Sequence, residues 1–274
     1  MRGDVAADPS PRIPEGARGT GPSPPPATAV TEGRDAGGGS RSVEPTRFVV
    51  VANLKGGVGK TTLAVNLACA LAVVAGHATA LVDADPQRSA TLWAARRRLP
   101  VEVLAIPSEV GDGSVHNWMW AVRRVRGRRA RVVVDLPAVL GELTGAALLF
   151  ADLVVVPTTL DAIDVEATRR TLRLVRRTRL QREDRGPHAL VVPNRVEGGF
   201  LEVRRALARL RDLGEDMAPP VRRHALFPGG FTGADWVGGM RRFSRATRDI
   251  RRLLERVEAR LAMLPESLRL HPGG

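Results

Sequence analysis

The apolar residues of this chain fall into short, dense blocks separated by polar and glycine-rich stretches. RFVVVANL (47–54), ALVD (80–83), RVVVD (131–135), LVVVP (153–157) and ALVVP (189–193) are β-branched and leucine runs without polar alternation. Strands of that kind are covered on both faces, as in a parallel sheet flanked by helices. Longer segments with helical spacing lie between them. TTLAVNLACALAVVAG (61–76) is one, ending at Gly76, and a glycine past the last periodic position is a common helix stop. Near the C-terminus, Ile250, Leu253, Leu254, Val257 and Leu261 predict a helix with one apolar side, and Phe243 is expected on that same side, packed onto the domain. Strands alternating with helices predict an α/β fold, a doubly wound, mostly parallel sheet with helices on both faces.

The same pattern sets the boundaries. Residues 1–45 contain PSPRIPEG, GPSPPPATA and DAGGGS with few large apolar side chains, so ordering them would cost more entropy than burial returns. They are expected to be a disordered tail. They lack the apolar stretch of a secretory signal, and their acidic residues argue against a transit peptide. One domain over 46–262 and a flexible tail over 263–274 complete the expected organisation. No apolar run is both long enough and free enough of charge to span a bilayer, so a soluble protein is expected. The single cysteine, Cys69, allows neither an internal disulfide nor a cysteine metal cage, which fits a reducing cytoplasm.

Charge adds one sharp observation. The formal net charge is +13, which favours a polyanionic partner, nucleic acid before membrane. Only two of the 42 basic residues are lysine, the remaining 40 being arginine, a bias that a GC-rich coding background accounts for. Both lysines, Lys55 and Lys60, fall in one eight-residue segment, KGGVGKTT (55–62). A compact, flexible ammonium enters a phosphate cradle that a planar guanidinium would overfill, so these two positions demand what the rest of the chain does without.

That segment joins a predicted strand to a predicted helix, the context of a phosphate-binding loop. Gly56, Gly57 and Gly59 let backbone N–H groups turn inward around phosphate oxygens, the helix start adds its positive dipole end, and Lys60 supplies a full charge. Thr61 is suited to ligate Mg²⁺ through its hydroxyl. The usual motif has glycine where this chain has Leu54, and Lys55 is additional. Downstream, DADPQ places Asp83 and Asp85 at the carboxyl end of a strand, where open α/β sheets bind ligands; a capped turn before the helix containing Trp93 is the plainer explanation of the same residues. RVVVDLPAVLG (131–141) brings Asp135 to the end of another strand, and ALVVPNRV (189–196) brings Asn194, which a strand-end turn also accounts for.

KGGVGKTT resembles the deviant Walker A loop of the ParA, septum-positioning, arsenite-pump and nitrogenase iron-protein superfamily. The resemblance covers about residues 46–262 and implies a P-loop NTPase that binds ATP and Mg²⁺ and dimerises around the nucleotide. It implies that Lys55 reaches phosphates held by the partner subunit, that Lys60 serves its own subunit, and that Lys55 to Thr62, including Val58, contact nucleotide. It further implies that Asp85 orients the attacking water, that Asp83 lies near the metal, that Asp135 holds Mg²⁺ through water, and that Asn194 pairs with an adenine edge. Ala138 stands where the family usually has a second proline. Asp164 matches a family aspartate with a structural role.

The arginines supply the remaining expectation. In the predicted C-terminal helix Arg241, Arg245, Arg248, Arg252 and Arg256 share one face. Arg169, Arg173, Arg176 and Arg177 follow Asp164, and Arg222 and Arg223 form a third patch. A solvated basic surface is the plainer reading. By resemblance to partition ATPases they imply nonspecific double-stranded DNA binding in the ATP state, with Arg222, Arg223, Arg241, Arg245, Arg248 and Arg252 as candidate contacts. The same resemblance implies slow hydrolysis accelerated by a ParB-like or cargo-linked activator, and a cytoplasmic, nucleoid-associated protein. Two alternatives stay open: a membrane-associated septum-positioning ATPase, disfavoured because Pro265 interrupts the C-terminal end, and a small-molecule ATP-dependent ligase, which would not need Lys55. An iron protein is excluded by the single cysteine, and a self-phosphorylating tyrosine kinase by the absence of tyrosine.

Overall fold

Each apolar block forms a strand whose two faces are both covered. The computed structural model describes residues 45–96, 99–106, 114–126, 129–233 and 235–264, so the expected tails lie outside it except at Pro45, Met263 and Leu264. The strands are β1 (Arg47–Val51), β2 (Thr79–Asp83), β3 (Glu102–Ala105), β4 (Arg131–Asp135), β5 (Leu153–Thr158), β6 (His188–Pro193) and β7 (Asp216–Met217). The helices are α1 (Lys60–Val73), α2 (Ser89–Ala94), α3 (Ser114–Arg126), α4 (Glu142–Phe150), α5 (Ala162–Gln181), α6 (Phe200–Arg211), α7 (Leu226–Gly233), α8 (Val237–Met240) and α9 (Arg245–Ala262).

The seven strands form one sheet in the order β3-β2-β4-β1-β5-β6-β7, with every described pairing parallel. Side chains alternate across it, as strand geometry requires. Val49, Val51, Leu81, Val133 and Val155 pack under α1, α2, α8 and α9, while Phe48, Val50, Val82, Val132 and Val154 pack under α3, α4, α5 and α6. The expected doubly wound sheet is thus present, wholly rather than mostly parallel among the described strands. α1 is apolar all round because α9 covers it, and Leu63 to Leu71 are fully buried. It ends at Val73, three residues before Gly76, which takes the left-handed turn at φ 77°.

Two expectations are corrected near the C-terminus. Ser244 caps α9 by accepting a hydrogen bond from the Thr247 N–H at 3.0 Å, so the helix starts after Phe243. Phe243 is therefore 85% exposed and packs on nothing in the core, unlike Ile250, Leu253, Leu254, Val257 and Leu261. Leu264, expected in a flexible tail, is buried, and its carbonyl accepts from the Arg47 guanidinium at 3.2 Å.

From β1 the chain passes to one side of the sheet and from β4 to the other, by α1 on one face and α4 on the opposite face. A crevice opens at the carboxyl ends of such diverging strands. No helix among the described residues is long and apolar enough to cross a membrane.

Candidate functional site

β1 stops at Val51, and a buried asparagine sets the direction of the loop that follows. The Asn53 amide donates to the Pro157 carbonyl at 2.8 Å and to the Thr168 hydroxyl at 3.0 Å, while its carbonyl oxygen accepts from the Lys55 N–H at 3.0 Å. The Leu54 N–H donates to the Thr171 hydroxyl at 3.1 Å. Two threonines of α5 thus anchor the loop entrance. Beyond it Gly57 and Gly59 take φ of 80° and 91°, a region that glycine enters at little cost. Gly59 has a second reason to lack a side chain, since a Cβ there would lie 2.4 Å from the Asn194 amide nitrogen. That nitrogen donates to the Val58 carbonyl at 2.7 Å.

The two lysines are placed differently. Lys60, the first residue of α1, is buried, and its ammonium donates to the Lys55 carbonyl at 3.2 Å. Burial lowers its pKa, against the opposing pull of Asp135 and Asp85. Lys55 is exposed, as are Gly56 and Gly57. Thr61 and Thr62 are half-buried in the first turn of α1.

Strand register brings the carboxylates to this loop. Asp83 pairs with Asp135 across β2 and β4, and Asp135 pairs with Val51 on β1. Both aspartates are fully buried, yet only one is spoken for. Asp83 accepts from the Thr91 N–H and hydroxyl, each at 2.8 Å, and from the Asp85 N–H at 3.3 Å. Both oxygens of Asp135 lack a hydrogen-bond partner. Burial pushes its pKa up to about 7; the nearby Thr61 hydroxyl, though outside hydrogen-bonding geometry, lowers it, Asp83 raises it, Lys60 lowers it and Asp85 raises it. A buried carboxylate without donors is costly unless a cation meets it. Of the residues expected at Mg²⁺, Asp135 therefore has the unspent charge, whereas Asp83 is engaged in holding the turn before α2. No three His, Cys, Asp or Glu side chains cluster as metal ligands among the described residues. Asp85 is half-buried and accepts from the Gln87 N–H at 2.9 Å.

A cavity of about 770 Å³ adjoins the loop, bounded by Gly59, Thr62, Thr159, Asp161, Asn194, Arg195, Arg223, His224 and Phe227. Its volume is that of a small-molecule site. A family model for the CobQ/CobB/MinD/ParA nucleotide binding domain matches residues 49–228, a span that holds the loop, all three carboxylates and every cavity-lining residue named above. The chain belongs to this family. It is 35% identical over 127 residues to Protein ParA of Rhizobium radiobacter, covering 46% of this chain and 55% of that protein. It is 44% identical over 113 residues to maintenance of carboxysome distribution protein A of Gloeobacter kilaueensis, covering 41% and 49%. The chain thus matches about half the length of these curated relatives. The McdA–ATP complex of Cyanothece superposes with a TM-score of 0.62 at 17% identity, over 81% of this chain and 98% of that one, a likeness of fold.

Against this CobQ/CobB/MinD/ParA scaffold the arginines sort into two groups. Arg222 is committed to the buried Asp249, with contacts of 3.0 and 2.6 Å from its side chain. Arg223 pairs with Glu197 at 2.7 Å and lines the cavity beside the loop rather than joining α9. Arg256, expected on the free face of α9, pairs with Asp216, as does Arg260. Glu215 takes Arg176 and Arg179, and Glu166 takes Arg169 and Arg173. Arg245, Arg248 and Arg252 are exposed on α9 without an ion pair among the described residues. Arg241 shares that state but terminates α8 and so is not on the α9 face.

The structure thus gathers Lys55 to Thr62, Asp83, Asp85, Asp135 and Asn194 around one crevice, ties Arg222 to α9 through Asp249, and sets Arg223 at the cavity beside the loop. Asn194 reaches the crevice, but its amide nitrogen is engaged with the loop. Asp164 is buried and accepts from the Thr159 hydroxyl at 2.7 Å, holding the β5–α5 turn. Sequence reasoning missed Asn53, Thr168 and Thr171. A signal existed: the chain has only four asparagines, and Asn53, Asn66 and Asn194 all hydrogen-bond within the loop or α1.

Proposed function

We propose that this chain is a partition ATPase that closes as a homodimer around ATP and Mg²⁺, holds nonspecific double-stranded DNA in that state, and releases it on hydrolysis, thereby positioning a cargo such as a plasmid, a chromosome or a protein complex. The observation that carries this reading is the unequal placement of the only two lysines. Lys60 is buried with its ammonium curled into the loop, as a group serving its own nucleotide would be. Lys55 is exposed on the same loop, free to reach phosphates across a subunit boundary. A loop serving one subunit alone needs no second ammonium.

Lys60 and the backbone N–H groups of Gly56 to Thr62 hold the phosphates. Thr61 and Asp135 hold Mg²⁺, which neutralises phosphate charge when bound. Asp83 positions the turn through Thr91, and Asp85, steadied by the Gln87 N–H, orients the attacking water. Asn194 steadies the loop at Val58 and borders the cavity that receives the base. Phosphoryl transfer needs little beyond such positioning and charge neutralisation. Hydrolysis is slow until a ParB-like or cargo-linked activator completes the site, and the protein works on the nucleoid.

The test is fluorescence anisotropy of the full chain on a random-sequence duplex, with ATP and Mg²⁺ and then with ADP. Tight binding with ATP and weak binding with ADP is the expected outcome. Lys55→Ala is expected to bind ATP yet elute as a monomer and lose the ATP-dependent gain on DNA. Equal duplex binding in both nucleotide states, or an ATP-dependent dimer of Lys55→Ala, overturns the reading.

A further inference from the structure

Phe243 is the most exposed large apolar residue among those described, at 85%. It lies between α8 and α9, at the rim of a pocket of about 650 Å³ formed with His224, Leu226, Arg241, Arg242 and Arg245. Among the described residues no carboxylate lines this pocket, and none of its three arginines has an ion pair. Elsewhere in the fold Glu166, Glu215, Asp216 and Asp249 neutralise the arginines near them. The Arg242 guanidinium sits 5.7 Å from the centre of the Phe243 ring.

We propose that this pocket is a base-stacking site for single-stranded nucleic acid, Phe243 taking the face of one unpaired base while Arg241, Arg242 and Arg245 hold the flanking phosphates. The inference rests on the reading of this chain as a nucleic-acid binder and names a second form of nucleic acid that it takes. An exposed ring among unpaired arginines is the combination that binds single strands, because every base offers a π face and every nucleotide a phosphate. A duplex keeps its base faces covered by their neighbours, so it can use the arginines but not the ring. An acidic membrane surface would also attract the arginines. Insertion, however, needs a continuous apolar face, and the apolar side of α9, including Ile250, Leu253 and Val257, is buried in the core.

The experiment compares the full chain, with ATP and Mg²⁺, on two fluorescent probes. One is an oligothymidine of about 20 nucleotides, longer than the roughly 4–16 covered by one single-strand-binding domain; the other is a duplex of equal length. Phe243→Ala is expected to weaken oligothymidine binding about tenfold, the range for loss of one stacked base, and to leave duplex binding essentially unchanged. Phe243→Trp restores the single-strand affinity. Phe243 is exposed, so neither change disturbs the core, and Arg241→Ala with Arg242→Ala should weaken both probes and flatten the salt dependence. Unchanged oligothymidine binding by Phe243→Ala, an equal loss on both probes, or a loss confined to phosphatidylglycerol vesicles overturns the proposal. Absence of ATP-dependent duplex binding by the unmodified chain would instead overturn the partition reading, while a selective single-strand loss would still support the stacking site.

Discussion

At Gly59 two constraints meet. The backbone stands at φ 91°, and the Asn194 amide occupies the space a Cβ would need. Gly59→Ala must therefore leave the left-handed region or displace Asn194, and an occupied disfavoured conformation costs about 1–3 kcal/mol. Because about 1.4 kcal/mol is a factor of ten in affinity, a fluorescent ATP analogue should bind Gly59→Ala about 5- to 100-fold more weakly, with the fold retained by circular dichroism. Adding Asn194→Ala relieves the clash but not the backbone strain, so the double variant should recover only part of the loss. Wild-type affinity in Gly59→Ala would mean that the loop geometry does not govern nucleotide binding. The glycine spacing was legible from the sequence because it is local. The role of Asn194 toward Val58 was not, since 136 positions separate the pair, and only the order β1-β5-β6 brings them together. Asn53 escaped notice for a similar reason, its threonine partners lying on a helix more than 100 positions away.

At the scale of elements, the docking of α9 combines an apolar stripe with polar ties. Ile250, Leu253 and Val257 were legible because helical spacing is a one-dimensional pattern. Phe243 continued that pattern by spacing, yet the Ser244 cap starts the helix only at Arg245, two residues beyond it. The sorting of arginines was also hidden, because Asp216 and Asp249 lie on different elements from the guanidinium groups they neutralise. One polar tie is sensitive to acid. Glu258 accepts from Arg131 at 3.1 and 3.2 Å and meets His77 at 2.8 Å. Burial alone would raise its pKa, but the bonds from Arg131 and His77 outweigh it and hold the carboxyl below its usual value. A carboxylate depressed in the folded state stabilises above its unfolded pKa of about 4.3, and that contribution fades as pH falls through the folded value. Glu258→Gln should thus lower Tm at pH 7 by about 2–4 °C, the shift expected for roughly 1 kcal/mol in a domain of this size. The difference from the unmodified chain should shrink below about pH 4. A pH-independent difference in thermal melts would mean that Glu258 acts by packing and not by charge.

For the whole molecule, the question is how the proposed phosphate site communicates with the arginines at the C-terminal end of α8 and on α9. The fold class was legible because the central strands carry runs of apolar residues that face both sides of the sheet, but the route between sites depends on contacts that no spacing announces. α2 supplies one. It begins just after Asp85, and its Thr91 is bonded to Asp83. Two residues on, the buried Trp93 donates from its indole N–H to the Asp235 carbonyl at 3.2 Å and meets Phe231 edge-on with ring centres 5.8 Å apart. Gly230 has no room for a Cβ against the same indole, which would lie 2.8 Å away. α2 is thus tied to α7 and to the segment that enters α8, whose C-cap is Arg241. His224 forms part of the wall of both the cavity beside the loop and the arginine pocket, so the two share a boundary. Coupling free energies of about 1–3 kcal/mol correspond to roughly 5–150-fold in affinity. Trp93→Phe keeps an aromatic ring but cannot donate to Asp235, so it should bind the ATP analogue within about twofold of the unmodified chain while the ratio of DNA affinities with ATP and ADP falls by about fivefold or more. Anisotropy in both nucleotide states measures that ratio directly. A Trp93→Phe protein that melts normally, binds ATP normally and keeps the full ratio would exclude α2 as the link, and His224, the residue common to both cavity walls, would become the next position to replace.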